Sequence, residues 1–463
     1  MKKKQLLSAV LASVMVFSLT ACGSSSTESQ TDTGTAETET ETAAETETTT
    51  ETAAADTEAV SEEDKVITFW NLGTDEPDKS LWQAAADWYN ENESPTSGYT
   101  VETVSTTNDQ YKEKLSVAMS AGECPDMYIH WTGGPMVEYI KSGYAQDITD
   151  LMTDSGTKDK YLDAAINQST YDGKIYAVPV LNDSVATFFY DKKMWADNGY
   201  EVPTTIDELE ALCDQMVADG VTPFALANSS QWTGSMYYMY LVARYGGPDI
   251  ITNAYDGSGS FVNEATQYAG EKIEEWVENG YFPEGVNSLS ADDGEDRALL
   301  YQGAGMMLQG SWQVGSIKQE NPDFYENLAS FAFPVLEGSS ADQSVVVGTI
   351  GDNFVSFNCT GEKLQEAFKV AEYYSSSEWE AQAIEAGKVP PLKDATSEEP
   401  TWQDILSIIS DASSVQLWWD QYLPSSVADV HKSASQKLFD LSATPEEVEQ
   451  EQQDAMDEYL STN

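Results

Sequence analysis

The side chains in this chain with chemistry to offer are mainly acidic and aromatic. It carries 79 Asp and Glu against 23 Lys and Arg, together with 12 Trp and 24 Tyr. Its two histidines, His130 and His431, stand far apart in sequence. It has no nucleophile elbow, HExxH helix or Gly-rich phosphate loop. A glycosidase needs two carboxylates held roughly 5–9.5 Å apart. With 79 acids some pair always qualifies, so their abundance argues nothing and catalysis is not expected. Cys124, Cys213 and Cys359 fit no zinc spacing and allow at most one disulfide, and three free thiols are expected. Neither a metal nor a cofactor is called for. What remains is non-covalent: flat rings, and carboxylates and amides that pair with polar ligand groups.

Such groups act only if a scaffold presents them. Residues 65–70 form a β-branched and aromatic run, 80–93 has helical apolar spacing, and 100–104 alternates like a strand. Helical spacing returns at 109–121 (Tyr111, Leu115, Ala118, Met119), and 126–131 reads as a strand. This β-α-β-α-β order predicts an α/β lobe with a largely parallel sheet. Ligands of such sheets sit beyond the carboxyl ends of the strands. Asn71 and Trp131, each at a strand's end, fall on that side. Trp131 also precedes Gly133-Gly134, which would leave its ring uncovered. Trp232 lies in a polar loop, 228–234, ahead of an apolar helix. Asp172-Gly173 is a tight hairpin signal. Thr205-Ile206-Asp207-Glu208 and Thr444-Pro445-Glu446-Glu447 are capping boxes opening helices. Strand-like pieces follow at 305–308, 329–335 and 353–357.

The N-terminus sets the compartment. Lys2-Lys3-Lys4 precede an apolar run from Leu6 to Leu19, and Leu19-Thr20-Ala21-Cys22 resembles a bacterial lipobox. Residues 1–21 then read as a lipoprotein signal peptide and Cys22 as the lipidated mature terminus. After Cys22, residues 23–64 are almost wholly Ser, Thr, Glu, Ala, Gly, Gln and Asp with no aromatic residue, so 22–64 is expected to stay disordered as a tether. Segment 23–64 has 13 carboxylates and no base, and the leader has three lysines, which leaves 65–463 with a net charge of −46. Such a surface repels a phosphate backbone, so nucleic acid is excluded as a partner. Residues 65–463 are too many for one small domain and suit two lobes.

The body resembles an extracellular solute-binding protein of a bacterial ABC importer, in the maltose-binding-like, carbohydrate-dominated class. Its pieces come in the family's order: Ile67-Thr68-Phe69-Trp70-Asn71, Gly122-Glu123-Cys124-Pro125-Asp126-Met127, Gly143-Tyr144-Ala145-Gln146-Asp147-Ile148, Tyr171-Asp172-Gly173-Lys174-Ile175-Tyr176-Ala177-Val178-Pro179, Phe189-Tyr190-Asp191-Lys192 and Val202-Pro203-Thr204-Thr205. Gly303-Ala304-Gly305-Met306-Met307, Gly310-Ser311-Trp312 and Thr444-Pro445-Glu446-Glu447 complete the set. The family usually has Asn where Asp191 stands.

The resemblance implies a two-lobe, periplasmic-binding-protein-like α/β fold with a hinge and an inter-lobe ligand cleft. Lobe 1 would span about 65–179 and 335–392, and lobe 2 about 183–331 and 393–463. The chain would cross between them near 178–183, 331–335 and 390–393. It further implies a monomer, held on the extracellular face of the cytoplasmic membrane by lipid on Cys22, that captures a carbohydrate and delivers it to permease subunits. Sugars have an apolar C–H face on which a Trp or Tyr ring stacks, and hydroxyls that carboxylates and amides can bind. Trp131 and Trp312 match stacking positions of the family, and Asp183, with Asn182 beside it, matches an acidic hydroxyl acceptor. Asn71, Trp232, Asp352 and Trp418 join them as candidates. Trp418 and Trp419 are adjacent on an expected helix and point in different directions, which leaves open the one that faces the cleft. A polyamine or other small-solute receptor, a surface adhesin and a secreted carbohydrate-active enzyme are the alternatives. The sugar's identity, length and linkage are not legible, nor is the permease.

Overall fold

The computed structural model describes residues 65–181 and 184–462. The leader, Cys22, the segment 22–64, Asn182 and Asp183 lie outside the described residues.

The chain opens with β1 (Val66–Asn71), β2 (Thr100–Ser105) and β3 (Met127–His130). A hairpin of β4 (Thr170–Tyr171) and β5 (Lys174–Ile175) leads to β6 (Val178–Leu181). Then come β7 (Ala186–Asp191), β8 (Met307–Gly310) and β9 (Leu328–Phe331). The last are β10 (Val346–Val347), β11 (Asp352–Phe357) and β12 (Val415–Gln416).

The first sheet has the order β2-β1-β3-β11-β6. β1 runs parallel to β2 and β3, as βαβ connections require, with Phe69 opposite Met127. β11 departs from the expected parallel arrangement. It enters from the far half of the chain and pairs antiparallel with both β3 and β6, setting Phe354 opposite His130 and Val355 opposite Val178. The helix Asp78–Asn92 buries Leu81, Trp82, Ala85, Ala86 and Tyr89 on this sheet. The helix Asn108–Ala121 buries Tyr111, Leu115, Ala118 and Met119, the stripe its spacing predicts, and ends at Gly122 with φ +73°. The Tyr111 hydroxyl donates to the Ile129 carbonyl at 2.7 Å, pinning this helix to the end of β3.

The second sheet, β8-β7-β9, is antiparallel and covered on both faces. Alternation along β7 sends Phe188 into a core with Trp195, Phe224, Tyr237 and Phe331. It sends Phe189 into a smaller one with Met307, Leu328 and Trp402. The helix Trp232–Gly246 is buried almost all round, as its apolar sequence demands. Its Arg244 stays inside because three carbonyls, Pro334, Val345 and Phe333, accept from the guanidinium at 2.8–2.9 Å.

Asp172 and Gly173 take φ of 49° and 76°, the hairpin turn read from the sequence. Thr205 and Glu208 form a reciprocal capping box, and Thr444 and Glu447 exchange the same pair of bonds. Cys124, Cys213 and Cys359 are free thiols.

Two neighbouring stretches carry the chain between the sheets. The Thr349 N–H donates to the Ser184 carbonyl at 2.8 Å, and Val185 bridges Gly348. A Cβ on Gly348 would overlap the Ser184 carbonyl oxygen, so this close approach requires glycine. The second passage comes later than the expected 331–335. Phe333 and Val347 still belong to the core built on β7, because Arg244 ties 333–345 to its helix. A third passage follows Leu392, which packs with the first sheet, and precedes Trp402, which packs with the second.

Candidate functional site

Five tryptophans line one cavity of about 520 Å³: Trp82 from the helix Asp78–Asn92, and Trp131, Trp232, Trp312 and Trp418 from four further segments. Trp131 follows β3, with the Lys112 ammonium 4.5 Å from its ring centre. Trp232 opens the buried helix Trp232–Gly246. Trp312 lies just after β8, its ring folded back over Gly310, where any Cβ would overlap it. Trp418 precedes the short helix Trp419–Tyr422 and donates its indole N–H to Ser184 Oγ at 2.9 Å, on the first passage between the sheets. Trp312 stands between two partners, 5.9 Å from Trp232 and 6.0 Å from Trp418 by ring centres. Trp419 turns the other way, into the core against Tyr238 and His431.

The polar lining is acidic. Seven carboxylates and three cations face this space. Each cation is engaged. Arg297 clasps Glu320 with two bonds of 2.7 and 2.8 Å, Lys112 lies 3.5 Å from Asp420, and Lys388 lies 3.1 Å from Asp78. Burial pushes the Asp292 carboxyl above its ordinary range, and the neighbouring Asp109 adds to the effect. The cavity thus offers flat apolar rings beside carboxylates, a combination suited to a polyhydroxylated or cationic ligand and hostile to an anion. Among the described residues no cluster of His, Cys, Asp and Glu is arranged to hold a metal ion.

The other candidates stand as follows. Asn71 is buried at the end of β1, where its Oδ1 accepts from the Gly73 N–H at 3.0 Å and from the Ser105 hydroxyl at 2.7 Å. It shapes the turn after β1, whose Leu72 and Thr74 reach the cavity in its place. Asp352 opens β11 opposite Leu181, and its neighbour Asn353, at φ +57°, lines the cavity. Asn182 and Asp183 lie outside the described residues. Trp82, on the helix Asp78–Asn92, is core and also touches the cavity. Sequence reasoning missed Lys112, Arg297 and Lys388. Only the position of Lys112 beside Tyr111, on a helix aimed at the end of β3, could have signalled one of them.

The two halves meet across the cleft. Ser425 donates its hydroxyl to Glu138 at 2.8 Å, and the Asp109 N–H donates to Asp292 at 3.1 Å. Gly133 and Gly134 pack directly on the backbone of Gln421 and Leu423, so neither could carry a Cβ without overlapping a carbonyl. The glycines expected to leave Trp131 open therefore admit the facing half instead.

Residues 84–406 match the profile of a family described as bacterial extracellular solute-binding protein. The chain is 27% identical over 333 residues to the multiple sugar-binding protein of Streptococcus mutans, a match covering 68% of this chain and 73% of that one. A structure solved in a study of xylan utilization by the thermophilic bacterium Caldanaerobius polysaccharolyticus superposes with a TM-score of 0.78 at 28% identity, covering 84% of this chain and 99% of that one. A chitin oligosaccharide binding protein superposes with a TM-score of 0.77 at 22% identity, covering 85% and 98%, a likeness of fold.

Proposed function

Because the chain belongs to the bacterial extracellular solute-binding protein family, we propose that it is the sugar-capturing subunit of an ABC importer. It binds a sugar or oligosaccharide outside the cell and hands it to membrane permease subunits. The observation that carries this reading is the convergence of Trp131, Trp232, Trp312 and Trp418 on one cavity rimmed by carboxylates. Rings of this kind stack on the C–H faces of pyranoses, and carboxylates accept from their hydroxyls. The sugar-binding name of the Streptococcus mutans relative supports it. Closure of two lobes on the ligand is a hinge movement and asks no chemistry of it. The lipobox-like Leu19-Thr20-Ala21-Cys22 and the polar tether support anchoring by lipid on the outer face of the cytoplasmic membrane.

A second reading, a polyamine receptor, draws on the seven carboxylates against three cations, all three already paired. A thermal-shift screen of the purified protein separates the two. It would include mono- and oligosaccharides of several linkages, with putrescine and spermidine. A ligand at about 100 times its Kd adds about 2.7 kcal/mol, a shift of a few degrees. A shift with sugars is expected. A shift with polyamines alone would overturn the sugar reading and keep the importer.

A further inference from the structure

Behind the cavity, the segment that carries Trp312 is held from two consecutive residues of one helix, Glu295–Tyr301. Asp296 and Arg297 bond the two glutamines that flank Gly310-Ser311-Trp312. Arg297 faces the cavity and donates to Gln313 Oε1 at 3.0 Å while it clasps Glu320. Asp296 is turned inward and is not among the residues that line the cavity. It is 1% exposed, as is Gln309.

A buried carboxylate persists only where donors meet it. One Asp296 oxygen accepts from the Arg297 backbone N–H at 2.8 Å, and the other from the Gln309 side-chain amide at 3.0 Å. Gln309 Oε1 in turn accepts from the Gly310 N–H at 2.9 Å. That N–H has no ladder partner to use. β8 is an edge strand, and the next N–H, of Ser311, is the one turned to the strand beside it, donating to the Val185 carbonyl at 3.0 Å. The direction of this relay is fixed at its start. With both oxygens accepting, Asp296 has no donor to offer, so Gln309 must give it the NH2 and keep the oxygen for Gly310. Gly310 is the floor on which the Trp312 ring rests, since a Cβ there would overlap the ring.

We propose that Asp296 is a positioning residue for sugar binding. Through the Gln309 amide it fixes the Gly310 backbone, and with it the plane of the Trp312 ring, without touching the ligand. This rests on the sugar reading for the use to which Trp312 is put. It goes beyond that reading in naming a buried group outside the cavity that sets a stacking surface within it. A ring carried on a loop keeps its geometry only as well as the shell behind it does. Here that shell is a single carboxylate, one amide and one backbone N–H, each with its partner.

Fluorine NMR of the full chain labelled with 5-fluorotryptophan tests this without a ligand, the Trp312 signal being assigned by its loss in Trp312→Phe. In Asp296→Asn the amide oxygen keeps the Arg297 N–H, and a donor now faces Gln309. Gln309 must flip and set its NH2 against the Gly310 N–H. The Trp312 signal should shift or broaden, and calorimetric affinity for xylotetraose or stachyose should fall at least tenfold. Adding Gln309→Glu moves the carboxylate along the relay and restores its order, with the amide at 296 and the Gly310 N–H both donating to it. The signal should return, and the affinity should recover to within threefold of the parent. In a Trp312→Ala background, Asp296→Asn should cost no further affinity. Asp296→Leu with Gln309→Met, which removes the relay and leaves no charge at either position, serves if Asp296→Asn does not fold. A Trp312 signal unmoved in the folded variant, no recovery on adding Gln309→Glu, or the same loss with and without Trp312 would overturn the inference and leave the sugar reading standing. Binding of neither sugar by the parent would count against the sugar reading and leave the fluorine signal to decide the positioning.

Discussion

Trp312 is the side chain on which the binding surface turns, because it alone contacts two other cavity tryptophans. Trp312→Ala should weaken sugar binding by more than about 1.4 kcal/mol, tenfold by calorimetry, while the ligand-free protein keeps its cooperative unfolding. The same scale carries a pH effect. Burial lowers both imidazoles to about 4: His130, bonded to the Trp131 carbonyl and Ser356, and His431, bonded to Gln452. The unfolded chain takes up these protons near pH 6.5 and the folded one only near 4. The stability they contribute is therefore complete above about 6.5 and lost as the pH falls toward 4, on the order of 3 kcal/mol each. Denaturant unfolding between pH 7 and 4.5 should show this slope, and His431→Asn should flatten part of it. Trp131, Trp232 and Trp312 could be singled out because each stands beside a glycine or a polar loop, where core packing is a poor explanation, whereas the choice between Trp418 and Trp419 needed the structure. Asn71 was not understood from its position alone. An amide at a strand's end serves the following turn as readily as a ligand, and only the distances to Gly73 and Ser105 separate the two.

At the scale of elements, what the sequence showed best was local. Periodicity located the helices Asp78–Asn92 and Asn108–Ala121 and strands β1 to β3 to within a residue or two, and capping chemistry located the helices after Thr205 and Thr444. What it did not show was pairing between distant strands. β11 reads as a strand, but nothing in its six residues says that it runs antiparallel between β3 and β6. β8 begins two residues later than read, because Gly305 and Met306 are occupied with the carbonyls of Thr222 and Pro223. The segment after β3 belongs to this scale too. Gly134→Ala would set a methyl group against the Leu423 carbonyl on the facing half. Since that contact forms only where the halves meet, the variant should lose at least tenfold in sugar affinity. Its ligand-free unfolding midpoint should stay within a few degrees of the parent. A large drop in that midpoint would mean that the contact is part of the resting fold.

Over the whole molecule, the two sheets and their separate cores followed from the resemblance, while the place of the second passage did not. The buried cation Arg244 decides it, by holding the stretch after β9 to the second core, a long-range tie invisible to any local pattern. The net charge of the chain is −56, and the cavity lining has the same sign. With all three lining cations paired, a uronate-bearing oligosaccharide should bind more weakly than its neutral counterpart of equal length. The gap should narrow as salt is raised. Equal affinity for the two would mean that one of Lys112, Arg297 and Lys388 leaves its partner on binding. The packing of Trp312 within 6.0 Å of both Trp232 and Trp418 has an optical consequence. Indoles this close exchange excitation, so a sugar laid on any one of them changes the emission of the group. The protein carries its own gauge of occupancy, readable as a change in intrinsic fluorescence without a label.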